Sequence, residues 1–211
     1  VVAVITSMAQ PLGTHIGNAL EVKDAIDVLA GRTQGDLLAI SLLLGSHMLV
    51  LAEKAKTLPE ARAMLENALS SGAGLRKLAE MIAAQGGDPR VVEDLSLLPQ
   101  AAVKRVMRAE TAGYLSAMDT TALGMAAQRM GAGRAKKSDM LDYSVGYVLH
   151  VRLGDEVTED TPLATLYARN EAEAEEAEKA IRKALTIARK KPQAPKLWDA
   201  VVTAEGIIYN R

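Results

Sequence analysis

Few patterns in this 211-residue chain carry recognisable site chemistry. The most prominent is Gly131-Ala132-Gly133-Arg134, whose backbone amides and guanidinium could bind an anion such as phosphate. It does not match the Gly-x4-Gly-Lys-Ser/Thr pattern of a phosphate-binding P-loop. Since no other phosphate-binding residues accompany it, a tight turn is the preferred interpretation.

The histidines and the basic residues are equally sparse. His15, His47 and His150 are not at the spacing of metal ligands, so an ordinary loop histidine is the preferred interpretation of His15 over an imidazole ligand or a base. The basic run 189–191 is more typical of a solvated helix end than of a nucleic-acid contact. There is no cysteine, which excludes disulfides and thiolate chemistry and suits a reducing compartment, so we expect a cytoplasmic protein.

Composition narrows the class of protein further. A formal net charge of −1, an aromatic fraction of 3% and the absence of Phe argue against a nucleic-acid partner. The longest apolar stretch, residues 37–52, is interrupted by polar residues and is shorter than the roughly 18 residues of a membrane span. We therefore expect no membrane partner and a buried core helix at this position.

The elements that would position any site change in character along the chain. Residues 1–5 are a β-branched run typical of a strand buried on both faces, which predicts a central parallel strand whose neighbours are partly missing. Such a chain would expose apolar edges and associate. Asn18 and Glu21 have the spacing of a helix capping box, and Gly31 can end that helix. Further helices are predicted at 36–56, 57–70 and 74–85.

Past Pro99 the pattern shifts towards short strands. The sequence predicts an α/β fold: the C-terminal part of a mixed or parallel α/β domain over residues 1–98, a small α+β, half-barrel-like domain over 99–191, and a tail over 192–211. Strands are predicted at 103–109, 113–118, 162–167 and 206–209, and helices at 119–130 and 171–190.

Several sequence motifs, in the same order along the chain, resemble those of the pyrimidine-nucleoside and thymidine phosphorylases. The resemblance covers about residues 1–190 and places the chain in the C-terminal half of such an enzyme. The motifs on which the resemblance rests are Gln10-Pro11-Leu12-Gly13, Gly17-Asn18-Ala19-Leu20-Glu21-Val22, Ala84-Gln85-Gly86-Gly87-Asp88, Ala122-Leu123-Gly124-Met125-Ala126 and Gly131-Ala132-Gly133-Arg134.

The resemblance implies a pentosyltransferase that reversibly phosphorolyses uridine, thymidine or deoxyuridine. Its products are the free base and (deoxy)ribose 1-phosphate, in pyrimidine nucleoside salvage. Phosphate is the co-substrate, no organic cofactor is implied, and the enzyme is expected to be a homodimer. In the family, the side chains that bind phosphate and base lie in segments upstream of these residues. We therefore assign no catalytic or substrate-binding residue and expect this chain alone to be inactive.

One family site extends into this part of the chain. Family members are implied to hold a monovalent cation, K⁺ or Na⁺, with two backbone carbonyls and a helix carboxylate. The matching ligands are the carbonyls of Leu12 and His15 and the carboxylate of Asp24. Many members have Glu at the position of Asp24, so the reach is one methylene shorter here. A solvated helix residue is an equally good interpretation of Asp24.

Two other functional classes stay open at this point. The segment 151–157 with 161–164 resembles a biotinyl- or lipoyl-carrier half-barrel, but Lys136 and Lys137 lack the flanking methionines of a modified lysine. Alternatively, the chain is a non-catalytic structural or interaction module that pairs with another chain bearing the active site. Finding the upstream half in the same reading frame would favour the enzyme over that module.

Overall fold

In the computed structural model, which describes residues 1–210, the chain divides into two compact units. The first unit contains residues 1–7, 24–97 and 196–210, and the second contains residues 8–23 and 98–195. Helix α1 begins in the second unit and ends in the first. The mixture of helices and open sheets confirms the predicted α/β class.

The first unit combines four helices with a three-stranded antiparallel sheet. α2 packs against α3, and α3 packs against α4. Two short 3-10 turns follow at Pro89–Val92 and Leu95–Leu97. The sheet order is β1-β9-β10. The elements are α1 (Asn18–Leu29), α2 (Asp36–Leu51), α3 (Leu58–Ser70), α4 (Ala73–Ala84), β1 (Ala3–Thr6), β9 (Trp198–Thr203) and β10 (Gly206–Tyr209).

The predicted central parallel strand at residues 1–5 is wrong. β1 pairs antiparallel with β9, with Val4 opposite Val201, and it forms one edge of its sheet. Three of its four residues are exposed. A β-branched run suits an antiparallel edge strand as well as a buried parallel one, and here the partner lies in the segment expected to be a tail. That tail is a β-hairpin, and its second strand confirms the one predicted at 206–209.

α2 is also less buried than its composition predicts. It ends at Leu51 rather than near residue 56, and only Ile40, Leu42 and Ser46 are fully buried. Leu44, Met48 and Leu51 remain 43%, 67% and 56% exposed. An apolar helix is therefore present, but one of its faces is not covered by the residues described here.

The second unit contains two antiparallel sheets and two helices. One sheet has the order β2-β5-β7-β3 and the other the order β6-β4-β8. α6 packs against α5 and against β7 and β3. The elements are β2 (His15–Ile16), β3 (Val103–Arg108), β4 (Gly113–Met118), α5 (Thr120–Ala127), β5 (Gly146–Leu149), β6 (Glu156–Val157), β7 (Pro162–Ala168), α6 (Glu171–Ala184) and β8 (Leu185–Ala188).

A continuous hydrophobic core fills this unit. Its fully buried side chains include Met107, Leu115, Tyr147, Leu166 and Ile181, drawn from both sheets and from α6. α6 faces the core with Ala174, Ala177, Ile181 and Ala184, at the spacing of one helical face. This core holds the strands that carry the candidate site.

Two predicted boundaries in this unit need correction. The helix expected over 171–190 ends at Ala184, because the alternating residues Leu185–Ala188 form β8 and pair antiparallel with β4. The helix expected over 119–130 is α5, capped by Asp119, followed by a π-helical turn at Gln128–Ala132. None of the helices within residues 1–210 is both long and apolar enough to cross a membrane.

Candidate cation-binding loop

The segment before α1 presents three consecutive backbone carbonyls to one guanidinium. Arg152 Nη1 donates to the carbonyl of Pro11 at 2.7 Å and to that of Gly13 at 3.4 Å. Its Nη2 donates to the carbonyl of Leu12 at 3.3 Å. All four residues lie in the second unit. The carbonyl of Leu12, an implied cation ligand, therefore already contacts a positive charge.

The direction of the His15 carbonyl follows from the strand pairing around it. It lies in the edge strand β2, opposite Val148 of β5. The N–H of Leu149 donates to the carbonyl of Thr14 at 2.8 Å, so the next pair along, His15 with Val148, is a non-hydrogen-bonded pair. The His15 carbonyl consequently points away from β5. The imidazole Nδ1 lies 3.0 Å from the hydroxyl of Thr14.

Asp24 lies on α1, in the first unit, whereas Leu12 and His15 lie in the second. Its side chain is buried. Two carbonyls with a carboxylate are the oxygen ligands that a hard ion prefers. Among residues 1–210, no three or more His, Asp or Glu side chains form a cluster that could hold a metal ion. The implied set thus depends on backbone carbonyls.

The start of α1 differs from the expected capping box. Glu21 Oε1 accepts a hydrogen bond from the N–H of Gly17 at 3.3 Å, so the side chain caps one residue earlier than predicted. Asn18 instead donates from Nδ2 to the carbonyl of Ala132 at 2.9 Å. The helix entrance is therefore tied to the turn at Gln128–Ala132, within the second unit. Gly31 ends the helix in a left-handed conformation, as predicted.

The segment Gly131–Arg134 forms the predicted tight turn. Gly131 has a φ of 106°, a conformation that favours glycine. Gln128 Nε2 donates to the carbonyl of Arg134 at 2.5 Å and closes the turn. Lys136 and Lys137 follow in an irregular segment before β5 rather than at a hairpin tip. The placement that a carrier domain requires for its modified lysine is therefore not found here.

The three histidines lie in separate elements. His15 is in β2, His47 is in α2, and His150 directly follows β5. His150 Nε2 lies 2.7 Å from Oγ1 of Thr165. Burial, with a smaller contribution from the charge of Lys104, lowers the pKa of His150. A neutral imidazole that is hydrogen-bonded to a hydroxyl is an ordinary histidine at the surface of a sheet. We assign a catalytic role to none of the three histidines.

Sequence reasoning did not find Arg152 as part of this loop. The contact joins residues 140 positions apart in the case of Leu12. The local sequence Arg152-Leu-Gly-Asp155 indicates only a turn, which the 2.7 Å hydrogen bond from the Arg152 N–H to Oδ2 of Asp155 closes. No local signal directs the guanidinium to residues 11–13.

Comparison with known proteins decides the family. The family model for the pyrimidine nucleoside phosphorylase C-terminal domain matches residues 114–188. The chain is 50% identical over 169 residues, 80% of its length, to the pyrimidine-nucleoside phosphorylase of Bacillus subtilis (strain 168). It is 48% identical over 169 residues to that of Geobacillus stearothermophilus and 43% identical over 186 residues to that of Staphylococcus aureus (strain USA300).

The chain belongs to the pyrimidine-nucleoside phosphorylase family. The alignments cover 39% of the Bacillus and Geobacillus proteins and 43% of the Staphylococcus protein. The chain thus spans about two fifths of the length of these curated relatives. The residues that the family model matches correspond to β4–β8 of the second unit.

Proposed function

We propose that this chain is part of a pyrimidine-nucleoside phosphorylase, a pentosyltransferase that uses phosphate to release uracil or thymine from the corresponding nucleoside. The observation that carries the proposal is the 50% identity, over 169 residues, to a protein of that name. Its substrates would be a pyrimidine nucleoside and inorganic phosphate. A homodimeric, cytoplasmic enzyme is part of the same proposal.

The chemistry of phosphorolysis explains why this chain alone is proposed to be inactive. Phosphate attacks the anomeric carbon, the sugar becomes cation-like, and the base leaves with negative charge. Such a transition state needs preorganised donors around the phosphate and the base, and removal of one of them typically costs on the order of a hundredfold or more in rate. His15, Asp24 and Arg134 do not form such a set.

A monovalent cation completes the proposal. The carbonyls of Leu12 and His15 and the carboxylate of Asp24 would hold K⁺ or Na⁺. The outward direction of the His15 carbonyl supports it. When bound, such an ion would supply charge that fixes the loop before α1. The protein's own contribution is to keep the carbonyl oxygens of that loop together.

The test is phosphate-dependent release of uracil from uridine and of thymine from thymidine. The natural full-length protein and residues 1–211 are assayed side by side. We expect turnover by the full-length protein only, with at least a hundredfold less from the 211-residue chain. Equal rates would contradict the proposal that the 211-residue chain alone is inactive. No turnover by either protein would reject the phosphorylase assignment. Omitting phosphate controls for simple hydrolysis.

A further inference from the structure

Strand β10 forms one edge of the three-stranded sheet in the first unit. The strand order β1-β9-β10 leaves its outer side unpaired within residues 1–210. Ile207, Ile208 and Tyr209 are 54%, 63% and 63% exposed. Edge strands are usually protected against pairing by charged side chains, proline or a bulge. The strand Gly206–Tyr209 has none of these, so its outer edge is open to another strand.

The hydrogen bonds to β9 fix which backbone groups of β10 point outwards. Asn210 lies opposite Asp199 in the continued register, and its N–H donates to the carbonyl of Asp199 at 2.8 Å. The two residues are therefore a hydrogen-bonded pair, and such pairs alternate along an antiparallel ladder. Ile208 consequently also bonds to β9. The N–H and carbonyl groups of Ile207 and Tyr209 point to the outer edge.

These outward groups are complementary to themselves about a two-fold axis. In an antiparallel pair of two β10 strands centred on Ile208, Ile207 of each copy lies opposite Tyr209 of the other. Each of these opposed pairs is then a hydrogen-bonded pair that exchanges both of its N–H···O=C bonds. We propose that β10 pairs in this register with β10 of a second copy of the protein. The inference goes beyond the proposed function, which names no contact surface between copies, and does not depend on phosphorylase activity.

The side chains of β10 favour a second copy as the partner. Ile207 and Tyr209 lie on the same face of the strand, because side chains alternate between faces. Pairing in this register places an aromatic ring against a β-branched side chain on both sides of the axis, which is a favourable cross-strand combination. The two Ile208 side chains meet on the opposite face. Since Gly206–Tyr209 carries no charge, two copies bring no like charges together along the strand.

Charges beside the strand ends favour the same antiparallel register. Lys196 Nζ donates to the carbonyl of Asn210 at one end of β10, and Glu205 precedes Gly206 at the other. Antiparallel pairing places the Glu205 end of each copy beside the Lys196 end of the other. Both side chains are exposed, so this attraction adds little to the affinity. A strand of 4 residues also buries less than a standard interface of roughly 1,600 Å², so we expect association that responds to dilution.

Cysteine cross-linking of the natural full-length protein tests the register. Residues 1–211 contain no cysteine, so one introduced here has no competitor in this part of the chain. The Cα atoms of the two copies of residue 208 would be about 4.5 Å apart, within the range of a disulfide. Those of residue 207 would be about 8 Å apart, beyond that range. The variants are Ile208→Cys and, as the matched control, Ile207→Cys, both oxidised with diamide and mapped by mass spectrometry.

Sedimentation velocity over a dilution series tests whether this edge drives association. Ile208→Lys places two like charges opposite each other at the two-fold axis and should raise the dissociation constant by at least about tenfold. Val106→Lys is the control, because Val106 is a 44% exposed residue of β3, an edge strand of another sheet. Its self-association should match that of wild type.

We expect the disulfide between two copies of the Ile208→Cys variant in at least about fivefold higher yield than between two copies of Ile207→Cys. Equal yields, or none in either variant, would overturn the inference. Self-association of Ile208→Lys equal to that of wild type would overturn it as well. If β10 instead pairs with another segment of the same full-length chain, Ile208→Cys gives no disulfide between copies, with the same consequence. Uridine phosphorolysis by the same samples tests the proposed function separately, because turnover without cross-linking rejects only the β10 contact.

Discussion

Arg105 on β3 donates a 2.7 Å hydrogen bond from Nε to Oε2 of Glu178 on α6, joining the helix to the edge of its sheet. Arg182, one turn further along α6, donates from Nη2 to the other oxygen of Glu178 at 2.8 Å. The carboxylate is thus bound by two guanidinium groups. Burial raises the pKa of Glu178, but the hydrogen bonds from Arg182 and Arg105 outweigh it and leave the pKa below its usual value of 4.5.

The Glu178→Gln variant should lose this double contact. We expect the free energy of unfolding at pH 7 to fall by about 1 to 2 kcal/mol, since charge-assisted hydrogen bonds at a partly exposed site are being removed. A carboxylate whose pKa is lowered by folding stabilises the protein above its unfolded pKa, and that contribution disappears as the pH falls through the folded pKa. The difference between wild type and variant should therefore shrink below about pH 4.5.

Urea unfolding at pH 7 and at pH 3.5 measures this difference. Glu176→Gln, on the exposed side of the same helix, is the control and should change the free energy of unfolding by less than about 0.5 kcal/mol. A Glu178→Gln effect that is the same at both pH values would contradict the proposed role of the carboxylate charge.

Tyr147 provides a buried polar contact in the core of the second unit. Its ring is fully buried, and its hydroxyl donates to the carbonyl of Leu123 in α5 at 2.8 Å. Burial raises the pKa of the Tyr147 hydroxyl, so it remains protonated. Tyr147→Phe should lower the free energy of unfolding by about 1 kcal/mol, because one buried hydrogen bond is lost with little change in shape. Tyr143→Phe, at an exposed position, should leave urea unfolding unchanged.

The local sequence predicted helices and strands correctly where long-range strand pairing did not override the local pattern. The strand at Gly113–Met118 and the helix after Thr57 are confirmed, the latter with Thr57 Oγ1 accepting from the N–H of Glu60 at 3.3 Å. Leu185–Ala188 follows a helical stretch without a break, and only its pairing with β4 makes it a strand. β1 pairs with residues nearly the whole chain away, so its direction could not be inferred from its own residues.

The candidate site was likewise predicted only in part from the sequence. The positions of Leu12, His15 and Asp24 followed from a motif shared with the family, but whether a carbonyl is already bonded depends on tertiary contacts. The contact of Arg152 with Leu12 arises because β5 and its following turn return beside the loop before α1. Such long-range geometry has no local sequence signal.

The backbone at Gly146 lies very close to the backbone at Ile16 and Gly17. A Cβ added to Gly146 would lie 2.1 Å from the carbonyl oxygen of Ile16 and 2.9 Å from Cα of Gly17, and its φ is 146°. Gly146→Ala should therefore cost about 3 kcal/mol or more, through overlap and backbone strain together. Gly124→Ala is the control: its added methyl group meets nothing within 4 Å in helix α5, so it should be neutral or stabilise by up to about 1 kcal/mol. Equal unfolding midpoints for the two variants would contradict the close approach.

The proposed domain boundary near residue 98 can be tested by limited proteolysis. Residues 88–102 contain two short 3-10 turns between Pro89 and Leu97, a segment with little regular hydrogen bonding. Asp88 caps the first turn by accepting from the N–H of Arg90 at 3.0 Å, and its hydrogen bonds with Arg90 lower the pKa of Asp88 to about 2. The cap therefore stays charged at assay pH.

We expect subtilisin to cut first within residues 88–102, with the products identified by mass spectrometry. Asp88→Ala should accelerate this cut severalfold because the capped turn opens more often. Glu93→Ala should not, since Glu93 caps the other end of the turn only through its backbone N–H, which donates to the carbonyl of Arg90. First cleavage within residues 113–167 would place the weakest connection inside the second unit and reject the boundary. Unchanged cleavage in Asp88→Ala, with the site still in 88–102, would show that opening there does not depend on the Asp88 cap.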